Sequence, residues 1–277
     1  MKTFVKRLSC DVPMMSVHAL DFILSHVPTA SDIQCAEHPA FTKLKNDLRP
    51  SMQVFGDVAI VPVQGTLAYN PDPWEMLYDG VEDSRNVLAM LQQAAANPQV
   101  KGVLIRMDTP GGMLLGGPEM ADAVDNLRAM EKPVVTHVGG MGASLGYLIA
   151  SRSDEIVANR SAIVGSIGVI SSVTDYSDYL AKLGIKFEYF TNDEATFKGA
   201  GAVGSKLTDD QRANIKASVN SAFQLFKTSV NERRPQVSAD TMRGQTFRGS
   251  EAKKVGLVDR IGDENFALSV LRSHMKK

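Results

Sequence analysis

With 277 residues, 44% of them hydrophobic and 22% charged, the chain has the make-up of a globular protein large enough to bury a sizeable α/β core. A formal net charge of -1 gives no electrostatic reason to expect nucleic acid or anionic lipid as a partner. The two cysteines, Cys10 and Cys35, stand outside any metal-ligand spacing, which argues against a disulfide framework or a zinc site and favours a reducing compartment.

The chain opens on a basic run, Met1-Lys2-Thr3-Phe4-Val5-Lys6-Arg7, but Asp11 and Pro13 arrive before the apolar stretch of a leader could develop. Nowhere do the roughly 20 apolar residues of a membrane span occur in succession. A cytoplasmic protein without a membrane anchor is expected. Leu20, Ile23, Leu24 and Val27 share one helical face, so a helix is predicted over 17–27. Residues 1–50 are read as an N-terminal extension, whether a plain helical one, a docking arm or a removable leader, and 51–277 as the main domain.

From Val58 onward strands and helices alternate. Val58 to Val63 reads as a strand, 84–96 as a helix ended near Asn97-Pro98, and Val103 to Met107 as a buried strand. A helix follows over 118–130, stopped before Pro133, then a strand over 134–138. Beyond a glycine cluster, 143–151 reads as helix, 155–158 as a short extended segment, 176–183 as helix, 186–190 as a last strand and 208–233 as a long helix with Thr208 as N-cap. Repeated β-α units joined by short glycine turns predict a mainly parallel sheet flanked by helices.

The chemistry-bearing residues lie in the glycine segments. Gly142-Ala143-Ser144-Leu145-Gly146 places a serine at the first turn of a helix, beside amides with no intrahelical acceptor. Ser144 there is either a nucleophile, with the Leu145 amide as an oxyanion donor, or an ordinary N-cap. Upstream, Asp108-Thr109-Pro110-Gly111-Gly112 follows a buried strand; its glycine amides suit an oxyanion hole, although Pro-Gly-Gly is also a common turn. No histidine occurs between His137 and His274, so a nucleophilic Ser144 needs another base. Lys198, between Phe197 and the small residues Gly199 to Ala202, is the candidate, because an apolar setting can bring a lysine down from its reference of about 10.4. Ser166 in Gly165-Ser166-Ile167-Gly168 either orients that lysine or satisfies a turn.

Taken together these segments resemble peptidase family S49, the signal-peptide-peptidase-A-like and phage capsid-protease group of the Clp-protease/crotonase superfamily. Asp108-Thr109-Pro110-Gly111-Gly112 is similar to the family's Asp-Ser-Pro-Gly-Gly, and Gly142 to Tyr147 to its nucleophile block. Gly165 to Val169 follows in order, and Gly244-Gln245-Thr246-Phe247 with Glu251-Ala252 through Gly256-Leu257-Val258-Asp259 resembles its closing signature. The likeness covers about 58–263. It implies an α/β fold of repeated β-β-α units and a Ser-Lys dyad of Ser144 and Lys198. It further implies no cofactor or metal, and self-association into a ring or dome in which a lysine reaches a neighbour's serine. One departure stands out: the family often carries an acidic residue soon after its lysine, whereas Lys198 is followed by Gly199, which keeps Lys206 as a second candidate base.

The expected activity is a serine endopeptidase acting on peptide or protein substrates, in phage capsid maturation alongside capsid or scaffold proteins. The alternatives are a cytosolic peptidase clearing short or signal peptides, and a non-catalytic capsid or scaffold component. An α/β-hydrolase esterase would need Asp259 or Asp263 and His274 to complete a triad, and a Clp-type Ser-His-Asp peptidase lacks a histidine in place.

Overall fold

A computed structural model describes residues 50–276; the helix expected over 17–27 and both cysteines lie outside them. In chain order the described residues form β1 (Gln53–Phe55), β2 (Val58–Ala68), α1 (Pro73–Tyr78), β3 (Val81–Asp83), α2 (Ser84–Ala96), β4 (Gly102–Gly112) and α3 (Gly117–Ala129). These are followed by β5 (Val134–Ala143), α4 (Leu145–Ser151), β6 (Glu155–Ala158), β7 (Ile163–Gly165), α5 (Ser177–Lys182) and α6 (Asp209–Arg233). A 3₁₀ turn (Ala239–Thr241), β8 (Thr246–Arg248), α7 (Gly249–Lys254), β9 (Arg260–Ile261) and α8 (Glu264–His274) complete them.

The larger of two compact units comprises, among the described residues, 50–168 and 224–276. It holds a nine-stranded sheet with the order β1-β2-β4-β5-β6-β9, β3 alongside β2, and β7 joining β5 to β8. Every pairing is parallel except β1 with β2 and β7 with β8. The predicted mainly parallel sheet flanked by helices is therefore the fold. β2, β4 and β5 open on unbroken buried runs because both faces are covered. Val58, Ile60, Leu104, Val135 and Val157 meet Ala267, Val270 and Leu271 of α8 on one face. Side chains alternate along a strand, so Ala59, Val61 and Val63, all fully buried, point to the other face, where α2 packs on β2. Full burial of each such valine, leucine or isoleucine contributes about 1.5–3 kcal/mol.

The closing signature anchors this unit. Arg234, 4% exposed, donates twice to Asp259 at 2.6 and 2.8 Å, and the same carboxylate accepts the Ile156 amide at the head of β6 at 2.7 Å. Asp259→Ala leaves a buried guanidinium without its counter-charge and the Ile156 amide without its acceptor, so urea denaturation should show a loss of about 3 kcal/mol; an unchanged midpoint would refute this role. Tyr147 is fully buried with its hydroxyl donating to the Leu257 carbonyl at 3.0 Å, and burial holds that hydroxyl protonated well beyond the usual tyrosine range.

The smaller unit is 169–223 among the described residues. It contains α5 and the first part of α6, whose predicted cap is present: the Gln211 amide donates to the Thr208 hydroxyl at 3.2 Å and the Thr208 amide to the Gln211 side chain at 3.1 Å. The strand expected over 186–190 is not formed. Phe187 and Tyr189 do alternate onto one side, stacking with centroids 6.2 Å apart, but the backbone there pairs with no strand. None of the residues 169–223 is buried.

Candidate active site

Ser144 sits where β5 gives way to α4, held by its amide, which donates to the Gly165 carbonyl at 2.8 Å. Its backbone takes φ 51° and ψ -122°, a conformation that costs an L-residue on the order of 1–3 kcal/mol. The hydroxyl makes no capping bond to α4, so the side chain is not there as an N-cap. Leu145 opens the helix, which leaves its amide without an intrahelical acceptor beside the serine.

The segment 108–112, expected as a turn, is extended and continues β4, with Gly111 and Gly112 opposite Thr66 and Leu67 of β2. Glycine is required by close approach. A side chain at Gly111, where φ is 103°, would meet Ser144 Cβ at 2.7 Å, Ala143 O at 2.8 Å and Leu145 N at 2.9 Å. One at Gly112 would collide with the Leu67 carbonyl. Gly111 therefore lies directly against the nucleophile candidate, but its N–H already donates to Thr109 Oγ1 at 3.0 Å. Ser166 follows Gly165, which pairs with Ala143, so the two serines are neighbours across the β5–β7 ladder. Ser166 also has a positive φ of 51°, and its amide donates to the Gln245 carbonyl at 2.7 Å. Ser144, Leu145, Gly111, Gly112 and Ser166 thus belong to one cluster in the larger unit.

Lys198 belongs to the smaller unit and is exposed. The apolar surrounding expected from its neighbours is not found among the described residues: Phe197 is 50% exposed, and none of the residues 169–223 is buried. Lys206 donates to Asp178 at 2.9 Å, and that hydrogen bond holds its ammonium above the ordinary lysine range, the wrong direction for a base. Lys132 carries no local sequence signal of a functional role, standing alone before Pro133. Burial pushes it below the usual range, but its Nζ donates to the carbonyls of Ala94, Ala95 and Asn97, closing the end of α2. It also precedes β5, whose ten residues separate it from Ser144.

The esterase triad is excluded by the sheet. Asp259 is taken by Arg234, Asp263 caps α8 through the Phe266 amide at 2.8 Å, and His274 pairs with Glu155 at 2.9 Å. Glu155 lies opposite Val135 at the start of β5, and Ser144 follows its far end, roughly 30 Å away at the usual rise per residue. Among the described residues no group of His, Cys, Asp and Glu could hold a metal ion, and no helix is long and apolar enough to cross a membrane.

Comparison with known proteins places the chain among peptidases of one family. The capsid assembly protease C of Escherichia phage lambda is 33% identical over 225 residues, 80% of this chain and 50% of the phage protein. Protease 4 of Haemophilus influenzae is 28% identical over 225 residues, 76% of this chain and 34% of that protein. The chain thus spans half or less of these two relatives. Among solved structures, an enoyl-CoA hydratase from Shewanella pealeana aligns over 85% of this chain and 78% of its own, with 12% identity and a TM-score of 0.48. The model of peptidase family S49 matches residues 126–277, more than half of the sequence and the part that carries Ser144, and the chain belongs to that family.

Proposed function

We propose that this chain is a serine endopeptidase in which Ser144 is acylated and Lys198 is the general base. The observation that carries the reading is Ser144 itself: a strained residue with a hydroxyl withheld from helix capping, set against Gly111 and the Leu145 amide. In the reaction Ser144 Oγ attacks the peptide carbonyl carbon while Lys198 Nζ takes its proton. The oxyanion is held by the amides of Leu145 and Gly112, since the Gly111 N–H is spent on Thr109. Lysine returns the proton to the leaving amine, and water then releases the acyl group by the reverse sequence. Ser166 orients the lysine. Residues 51–277 act as one peptidase domain on a peptide or protein substrate, without metal or cofactor.

Self-association completes the site in this reading. The same segment as the proposed base has no buried residue and exposes Ile170 (65%), Tyr179 (62%), Leu183 (57%) and Phe190 (91%), apolar side chains that a second copy would cover. The lambda relative's name favours a role in capsid maturation in a host cytoplasm over clearance of short peptides.

The test is reaction with a fluorophosphonate, followed by intact mass and peptide mapping. One adduct on Ser144 is expected; no adduct, or one elsewhere, would refute the reading and leave a non-catalytic component. Gly111→Ala should slow this labelling by about 100-fold, because the added methyl pushes on Ser144 and Leu145, and should lower stability by about 1–3 kcal/mol. Labelling at the wild-type rate would show that Gly111 does not shape the site.

A further inference from the structure

Both ladders that flank β4 slip at the same place. On the β5 side Met107 faces Val138 but Thr109 faces Gly142, and on the β2 side Gln64 faces Asp108 but Thr66 faces Gly111. Slips of this kind leave backbone groups out of register and re-aim the strand end, here the ends that carry Gly111 and Ser144. Thr109, which is fully buried, ends the slip on the β5 side and lies within the one on the β2 side. Its hydroxyl donates to the Gly65 carbonyl of β2 at 2.5 Å and accepts the Gly111 amide at 3.0 Å; Gly111 O lies 3.4 Å from the same oxygen. Its methyl occupies the space beside Gly146, where a side chain would come within 2.5 Å of it. One side chain therefore ties the strand of Gly65 to the glycine pair at the end of β4 and also abuts the first turn of α4, next to Ser144.

We infer that Thr109 is a positioning residue for hydrolysis: its hydroxyl fixes Gly111, and with it the adjacent Gly112 amide, against Ser144. The inference rests on the proposed role of Ser144. Thr109→Val keeps the shape but strands the Gly65 carbonyl and the Gly111 N–H, while Thr109→Ser keeps both hydrogen bonds and loses only the methyl. The valine variant should lose on the order of 10- to 100-fold in kcat and in the rate of fluorophosphonate labelling, with KM changed less than about threefold. The serine variant should stay within about threefold of wild type. Should the valine variant not fold, Thr109→Cys, close in size to serine but a poor hydrogen-bonding partner, should show the same loss at an unchanged circular dichroism spectrum. A folded valine or cysteine variant with wild-type kcat would overturn the inference. So would a serine variant as slow as the valine one, or a loss carried by KM alone. If wild-type protein takes no label, it is the nucleophile assignment that fails; labelled wild type with an equally fast valine variant refutes only the role of Thr109.

Discussion

Ser144→Ala is expected to cut peptide hydrolysis by about 10⁴-fold or more, leaving only what substrate binding and oxyanion donors supply without a nucleophile. Fluorogenic peptide turnover beside an unreacted fluorophosphonate would measure it. The same change should leave the melting temperature almost unmoved, because the hydroxyl caps nothing; loss of a true cap would cost about 1 kcal/mol. Ser144→Gly sharpens the contrast. Glycine accepts a φ of 51° without strain, so this variant should be equally inactive yet more stable by about 1 kcal/mol. A folded alanine variant with wild-type turnover would remove Ser144 from the chemistry altogether.

Lys198→Ala should lower kcat by about 10²–10⁴-fold, the range for a lost general base. Only an unprotonated amine takes a proton, so wild-type activity should climb as pH rises into the alkaline range, and the variant should lose that slope. Lys206→Ala should remain near wild type, because Lys206 is kept charged by Asp178. Mixing inactive Ser144→Ala and Lys198→Ala proteins distinguishes two arrangements. Recovery of activity places the lysine of one copy at the serine of another, and no recovery from associated protein places both in one chain. Wild-type turnover in Lys198→Ala at neutral pH would dismiss this lysine.

The sequence was most legible where a single period ran long enough. The helix over 84–96 and the short segment 155–158 match α2 and β6 end to end. Composition marks the glycine segments as turns, whereas in the structure they let strands pass one another closely: Gly112 faces Leu67, and Gly142 faces Thr109. Strands β7, β8 and β9, of two or three residues each, are too short to show any alternation. Phe187 and Tyr189 show the opposite case, a true alternation with no strand to pair with. At the candidate site Ser144 could be found from its local motif. The employment of Asp259, and the commitment of the Gly111 amide to Thr109, could not, because each depends on a partner fixed by tertiary structure or by the ladder slips.

The face of the sheet closed by α8 sets a timetable for synthesis. Val58 and Ile60 emerge early from the ribosome but find Ala267, Val270 and Leu271 only some two hundred residues later. Contacts of such high contact order form slowly, and β2, β4 and β5 wait half-covered until the last helix docks. The strand ends that align Gly111 with Ser144 belong to that same waiting sheet, so the nascent chain carries this hydroxyl before the backbone around it is set.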